Sequence, residues 1–125
     1  MLFDTDVLVY LFRGHAGAAK LVEETPERAI SVVSYMELLQ GVRDKQELKA
    51  IKSFLAEFAF DMLPLTENIG HRASIYMEEY GLKAGMCLAD ALVAATAVEN
   101  RLTLCTANRK HYAVVSDLET RPFRP

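Results

Sequence analysis

Short runs of apolar, often β-branched residues alternate along this chain with longer stretches in which apolar residues recur at helical spacing. Runs of the first kind are typical of strands that are buried within a sheet. One of them contains a proline, which weakens its end because proline cannot donate a hydrogen bond to a neighbouring strand. The runs predict four strands and a possible fifth: Met1–Phe3, Ala29–Val33, Phe60–Leu65, Leu102–Thr106 and, less regularly, Ala113–Glu119.

The stretches between these runs predict six helices. The clearest contains Leu48, Ile51, Leu55 and Phe58 in a charged background, which is typical of an amphipathic helix. Strands that alternate with helices indicate an α/β fold, in which helices cover both faces of a parallel sheet. The predicted helices are Thr5–Phe12, Gly17–Glu24, Ser34–Gln40, Leu48–Phe58, Thr66–Tyr80 and Leu88–Asn100.

Composition and charge are those of one ordinary globular domain spanning residues 1–125. The net charge of −3 argues against broad electrostatic binding to nucleic acid but leaves room for a local basic patch. No apolar run approaches the ~18 residues of a membrane span, and the first residues lack the basic start of a signal peptide. We therefore expect a cytoplasmic protein in which Cys87 and Cys105 are reduced and buried.

Polar side chains fall where parallel sheets bind ligands, beyond the carboxyl ends of the strands. Asp4 directly follows the first predicted strand, and Asn108 follows Thr106 at the end of the fourth. Glu37 and Asp90 lie in the first turns of their predicted helices. Each of these residues has an alternative interpretation as a helix cap or a turn residue, and Glu37 lies at capping-box spacing after a serine.

Helix capping does not require Asp4, Glu37 and Asp90 to converge, whereas a metal site does. Three converging carboxylates would repel one another strongly unless a cation were bound between them. Hard oxygen ligands favour Mg²⁺ or Mn²⁺ over zinc, and no cluster of cysteine and histidine competes for the role. A carboxylate-held Mg²⁺ in turn suggests phosphoryl chemistry, because the cation polarises a phosphate oxygen and lowers the pKa of a bound water.

Four stretches carry a family resemblance through their order and spacing: LFDTDVLVYL (residues 2–11), ISVVSYMELLQG (30–41), LADALVAATA (88–97) and LCTANRKHY (104–112). The chain resembles the PIN-domain ribonucleases and, among them, the VapC-type toxins of VapBC toxin–antitoxin modules. The resemblance implies a PIN-like three-layer α/β/α sandwich around a central parallel sheet. It also implies an endoribonuclease in which a water activated by Mg²⁺ or Mn²⁺ attacks the phosphodiester and leaves a 5′-phosphate.

Carried over to this chain, the resemblance assigns the metal-binding and catalytic acids to Asp4, Glu37 and Asp90. The fourth catalytic position falls at Asn108, where many relatives have aspartate and some have asparagine. An amide can orient a water or ligate weakly, but it contributes no charge. A second metal ion would therefore need a phosphate of the RNA to complete its ligands.

The resemblance also implies supporting roles for neighbouring side chains. Thr5 and Thr106 match hydroxyl positions beside the acids, and we expect them to position the ligands or a water. Asp6 often corresponds to serine or asparagine in relatives, and we expect it to form hydrogen bonds near the site without binding the metal. Basic residues that suit either the RNA backbone or a solvated turn follow the fourth position: Arg109, Lys110 and His111.

The family further implies two protein partners. A VapB-type antitoxin would block the pocket, often with a basic side chain near the acids, and the toxin itself would form a homodimer. The apolar stripe of the Leu48–Phe58 helix, beside the Ser34–Gln40 helix, offers the antitoxin a groove. The same stripe would equally serve the intramolecular core.

Three alternatives belong to other functional classes. The opening motif also suits a haloacid-dehalogenase-type phosphatase, in which Asp4 would be the nucleophile and Asp6 the general acid and base. That class lacks support here, because no later strand ends in an acidic pair. A phosphoacceptor receiver domain would need an aspartate after the middle strand, which the sequence does not provide. A PIN fold kept only as a binding module is the third alternative, and Asn108 is the residue that allows it.

Overall fold

The sheet of this protein is entirely parallel. The computed structural model describes all 125 residues. Its five strands are β1 (Leu2–Phe3), β2 (Ala29–Ser31), β3 (Asp61–Leu63), β4 (Leu104–Thr106) and β5 (Thr120–Pro122), in the order β3-β2-β1-β4-β5. The next two strands along the chain, β2 and β3, lie on one side of β1, and the last two, β4 and β5, lie on its other side. The junction of β1 and β4 is therefore the topological switch point, where open α/β sheets bind ligands.

Seven helices connect and cover the strands. They are α1 (Thr5–Phe12), α2 (Ala16–Glu24), α3 (Val32–Gln40), α4 (Lys45–Glu57), α5 (Glu67–Ala84), α6 (Leu88–Glu99) and α7 (Arg109–Tyr112). Polar side chains accept hydrogen bonds from first-turn backbone N–H groups at five helix starts: Asp4, His15, Ser31, Asp44 and Thr66. None of the helices combines the length and the hydropathy needed to cross a membrane.

Adjacent residues of the short strands face opposite sides of the sheet and supply two cores. Leu2 and Leu104, which pair in register, belong to a cluster with side chains of α5 and the alanine-rich α6. Phe3 and Cys105, the next pair, belong to a second cluster with side chains of α1, α2 and α4. Helices on both faces of one parallel sheet confirm the predicted three-layer α/β/α architecture.

Several predicted element boundaries are wrong, among them the start of α4, which is Lys45, and the end of α5, which is Ala84. Two of these errors have a clear physical reason. Helix α3 begins earlier than Ser34, because the hydroxyl of Ser31 caps it by accepting a hydrogen bond from the N–H of Val33 at 3.1 Å. The last strand lies after the predicted Ala113–Glu119 stretch rather than within it. In that stretch Val115 is buried although it belongs to a turn and not to a strand. The polar β5 is an edge strand, and it pairs with β4 through backbone groups.

The two cysteines differ in exposure. Cys105 is buried at the centre of β4, as predicted, and burial raises the pKa of its thiol to about 11. Cys87 is exposed immediately before α6, so the prediction that it is buried is wrong. Both are free thiols.

Candidate active site

The carboxyl ends of β1 and β4 form the floor of the candidate site. Asp4 follows β1 directly, and only 8% of its surface is exposed. Its Oδ1 accepts a hydrogen bond from the N–H of Thr5 at 2.8 Å and so caps α1. The capping interpretation therefore holds for this residue, but it explains only one of the two carboxylate oxygens.

The other oxygen of Asp4, Oδ2, accepts hydrogen bonds from two hydroxyl groups. Thr106 donates at 2.8 Å from the end of β4, and Tyr112 donates at 3.0 Å from α7. Burial and, after it, the charge of Asp6 raise the pKa of Asp4 to about 6, although hydrogen bonds from Thr106, Tyr112 and Thr5 oppose that rise. Ionisation of Asp4 is therefore unfavourable in the metal-free protein, and a nearby cation would stabilise the ionised form.

Asp6 ties the start of α1 to the segment that follows β4. Its Oδ2 accepts a hydrogen bond from the backbone N–H of Ala107 at 3.1 Å and lies 3.3 Å from the hydroxyl of Thr106, which is closer to Asp4. The same oxygen accepts a hydrogen bond from Nδ2 of Asn108 at 3.1 Å, whereas Oδ1 of Asp6 is buried without a partner. The structure thus places Asp6 among hydrogen-bond donors at the site, as expected for a supporting group.

Asn108 lies at the site but presents its amide to Asp6. Besides that contact, its backbone N–H donates to the hydroxyl of Thr106 at 3.0 Å. Asp117, a later acid in the chain, is engaged elsewhere by the guanidinium of Arg72 at 3.0 Å and by the hydroxyl of Tyr76 at 3.1 Å. The negative charge beside Asn108 therefore comes from Asp6.

Asp90 lies in the first turn of α6, and its carboxylate contacts the hydroxyl that also contacts Asp4. The hydroxyl of Tyr112 is 3.2 Å from Oδ1 of Asp90, and Nδ1 of the exposed His111 is 3.4 Å from Oδ2. Burial and the charges of the two aspartates raise the pKa of Tyr112 far above its ordinary value. The side chain therefore keeps its hydroxyl proton and acts as a donor between the two acids.

Tyr112 and the short helix α7 that carries it were not predicted from the sequence. Four residues with three basic side chains and one aromatic ring do not show a helical pattern on their own. The available signal was the spacing, because Tyr112 lies one helical turn after Asn108 and is the one apolar side chain of that turn.

Glu37 joins the site through Thr5. The hydroxyl of Thr5 donates to Oε1 of Glu37 at 2.7 Å, while its N–H binds Asp4, so one residue links both acids. Because α3 begins at Val32, Glu37 lies beyond its first turn, and the capping-box interpretation is wrong. Glu37 is exposed and also lines a cavity of about 530 Å³ between α1, α3 and α4.

The remaining predicted residues lie at the edge of this cluster. Arg109 and Lys110 are exposed in α7, directly after Asn108, and make no ion pair. With His111, which contacts Asp90, they form a run of three basic side chains in this short helix.

The donor set suits a hard cation held partly by water. Its side chains offer oxygen atoms, which Mg²⁺ and Mn²⁺ prefer. No three acidic, histidine or cysteine side chains converge closely enough to form a closed metal cage. The acids are linked in pairs instead, Asp4 with Asp90 through one hydroxyl and Asp4 with Glu37 through Thr5. Such an open set fits Mg²⁺, which usually keeps several waters and binds one or two carboxylates together with substrate phosphates.

Comparisons with known sequences show which family this chain belongs to. The family described as PIN domain matches residues 1–116. Ribonuclease VapC10 of Mycobacterium tuberculosis is 37% identical over 127 residues, covering 98% of this chain and 92% of the relative. Ribonuclease VapC19 of the same organism is 32% identical over 123 residues, covering 94% of this chain and 96% of the relative.

Solved structures show the same relationship. A toxin–antitoxin complex from Klebsiella pneumoniae matches with a TM-score of 0.82 at 30% identity, covering 99% of this chain and 98% of the matched chain. A DNA-bound VapBC from Salmonella typhimurium has a TM-score of 0.85 at 16% identity, covering 97% and 96%, which shows the shared fold alone. These matches remove the phosphatase and receiver-domain alternatives. The chain belongs to the PIN-domain family and, within it, to the VapC-type proteins.

Proposed function

We propose that this protein is a Mg²⁺- or Mn²⁺-dependent endoribonuclease, the toxin of a type II toxin–antitoxin system. One observation carries the proposal: three acids from separate elements are linked in pairs near the β1–β4 switch point. Asp4 and Asp90 share the hydroxyl of Tyr112, whereas Thr5 contacts Asp4 through its N–H and Glu37 through its hydroxyl. The similarity to proteins named VapC ribonucleases over nearly the whole chain supports the same activity. We infer a cytoplasmic location, where an RNA substrate would be met.

The open oxygen atoms of the acids indicate which of them would hold the cation. Oδ2 of Asp4 already accepts two hydrogen bonds, whereas Oδ1 accepts one and keeps an acceptor position free. Asp90 is linked to Asp4 through the same hydroxyl, so the two carboxylates form the core of the site. When bound, the cation would supply a Lewis acid that lowers the pKa of a water and offsets charge on the scissile phosphate.

Glu37 would complete the site from the side of the cavity. Its Oε1 accepts the hydrogen bond from Thr5, and its Oε2 makes no hydrogen bond within the protein. That free oxygen would accept a hydrogen bond from the attacking water and orient it. Attack in line with the departing 3′ oxygen would leave a 5′-phosphate on the product.

Thr106, Asp6 and Asn108 would position these groups through the hydrogen bonds described above. Asp6 and Asn108 together carry one negative charge, so the protein offers less charge than a site with two acids at these positions. We infer that the protein alone holds one cation and that a second would need a phosphate of the RNA.

The basic rim of α7 is suited to the RNA backbone. Arg109 and Lys110 are exposed in the same short helix as His111, which lies 3.4 Å from Asp90, so a phosphate bound near the acids would lie close to this basic segment. The overall charge of −3 makes such a local patch the main source of attraction for RNA.

The cavity beside Glu37 is suited to a VapB-type antitoxin. It lies between α1, α3 and α4, where the sequence predicted an apolar groove, and apolar side chains form much of its wall. Glu37 and Glu47 line it together with Arg13 and Arg43. Glu37 would be the contact for a basic side chain of the antitoxin, which would then block the site. We also infer a homodimer, for which the exposed Ile75 and Leu82 on α5 provide apolar surface.

RNA cleavage by the purified protein tests the proposal. We expect cleavage of an RNA substrate with Mg²⁺ or Mn²⁺, none in EDTA, and a loss of about a hundredfold or more in Asp90→Asn. Arg72→Met is the matched control, because this charged residue is distant from the acids and should leave the rate unchanged. If the protein binds RNA but cleaves none with either metal, the non-catalytic binding module that Asn108 allows is the better interpretation.

A further inference from the structure

We propose that Tyr112 is a positioning residue whose buried hydroxyl holds Asp4 and Asp90 in the arrangement that receives the cation. The inference rests on the proposed function. It adds to the site a residue that is not one of the acids. It concerns the hydroxyl group alone and not the aromatic ring.

The geometry of the hydroxyl is specific to the two acids. Its oxygen is 3.0 Å from Oδ2 of Asp4 and 3.2 Å from Oδ1 of Asp90, and only 1% of the residue's surface is exposed. A hydroxyl has one proton, so it donates to one carboxylate at a time and remains at hydrogen-bond distance from the other. Two acids that would otherwise repel each other are thereby kept around one point.

The same contact determines which oxygen of Asp4 stays open. When Thr106 and Tyr112 both donate to Oδ2, which belongs to the carboxylate closer to Tyr112, that oxygen has no acceptor position left, whereas Oδ1 keeps one. Without the tyrosine hydroxyl, Oδ2 would also have an open acceptor position, and the orientation of the carboxylate would be less firmly fixed. Hydrogen-bonding partners of this kind orient metal ligands and tune their affinity.

Tyr112 also fixes helix α7 at the site. Asp6 holds the segment before this helix through Ala107 and Asn108, and Tyr112 holds its last turn through Asp4 and Asp90. The basic residues between these two anchors are therefore placed relative to the acids by hydrogen bonds at both ends.

The ring of Tyr112 packs in the core beside α5 and α6, so a structural role must be separated from the positioning role. Tyr112→Phe keeps the ring and removes only the hydroxyl. Tyr76→Phe is the matched control, because Tyr76 is 5% exposed and also donates to a carboxylate, that of Asp117 at 3.1 Å, away from the site. Both variants lose one largely buried hydroxyl donor, and only one of them changes the site.

The first test is calorimetric titration of Mn²⁺ into the wild type and the two variants, with thermal unfolding measured beside it. We expect Tyr112→Phe to bind Mn²⁺ about tenfold more weakly and Tyr76→Phe to bind it as the wild type does. We expect both variants to unfold a few degrees lower, which a structural role alone would also produce. Equal Mn²⁺ affinity in all three proteins would overturn the proposal.

A second test is a double-mutant cycle of Tyr112→Phe and Asp90→Asn on the stability of the metal-free protein. We expect the two effects to be non-additive, because both substitutions alter one contact. Additive effects would overturn the proposal whether or not the wild type binds Mn²⁺. If the effects are non-additive but the titration shows that the wild type binds no Mn²⁺, the proposed metal dependence is overturned instead. The failure of this proposal and the failure of the proposed function are therefore distinguishable.

Discussion

Replacing Asp4 with asparagine is expected to stabilise the metal-free protein at alkaline pH while it abolishes RNA cleavage. Asparagine has nearly the shape of aspartate and can still accept the hydrogen bond from the N–H of Thr5. The hydroxyls of Thr106 and Tyr112 can rotate to accept hydrogen bonds from its amide nitrogen. The substitution therefore removes a buried charge and leaves the surrounding contacts in place.

The size of the effect follows from the pKa of Asp4. Burial, followed by the charge of Asp6, raises that pKa from 3.8 to about 6. Because the folded protein then binds the proton more tightly than the unfolded chain, this group contributes most stability below pH ~4, and the contribution is lost as the pH rises through about 6. At about 1.4 kcal/mol per pKa unit, the ionised carboxylate costs the fold about 2–3 kcal/mol at pH 8.

Denaturation of the wild type and Asp4→Asn in EDTA, between pH 4 and pH 8, measures this cost. We expect the variant to be about 2 kcal/mol more stable at pH ~8, which raises its Tm by roughly 8 °C, and nearly equal in stability at pH ~4. Mn²⁺ at pH 8 should raise the Tm of the wild type by mass action and leave that of the variant unchanged.

Asp117→Asn is the control for removing an aspartate elsewhere. Asp117 pairs with Arg72 and Tyr76, so its loss should lower stability by about 1 kcal/mol at pH 8 rather than raise it. The interpretation of Asp4 would be refuted if Asp4→Asn were no more stable than the wild type at pH 8. A gain of the same size at pH 4 and at pH 8 would refute it as well, because it would not come from the charge.

Of three further predictions, two concern neighbours of the acids and one concerns a charged residue away from the site. Asn108→Asp should destabilise the metal-free protein by about 1–3 kcal/mol in chemical denaturation, because it replaces a donor to Asp6 with a second acid. Thr5→Val should slow RNA cleavage about tenfold by releasing Glu37, and Thr5→Ser should retain the rate, which steady-state kinetics can measure. Arg72→Met should lower stability by about 1–2 kcal/mol at an unchanged cleavage rate, since its two acidic partners lie away from the site, and an altered rate would contradict this separation.

Much of the fold could be predicted because local pattern and tertiary packing agree. The apolar run before Asp4 and the helical pattern after it place this acid at the end of a strand, and the alanine-rich pattern of α6 places Asp90 in a first turn. In a parallel sheet these two positions meet at one edge. The acids at the centre of the site were therefore accessible from the sequence.

The errors arose where tertiary structure decides between local signals that are similar. Ser31 and Ser34 are both suitable caps for α3, and the choice depends on β2 ending at Ser31, where it pairs with Leu63 of β3. Tyr112 acquires its role only through contacts with residues far along the chain, which no local pattern reveals. The edge strand β5 likewise depends on backbone pairing with β4 rather than on an apolar pattern.

The most direct test of the metal site is calorimetric titration of Mn²⁺ into the purified wild type beside Asp90→Asn. The proposed function predicts clear binding to the wild type and binding at least tenfold weaker in the variant, because Asp90 supplies one of the two carboxylates at the centre of the site. Equal affinity in the two proteins, or no binding to either, would contradict a cation held by these acids.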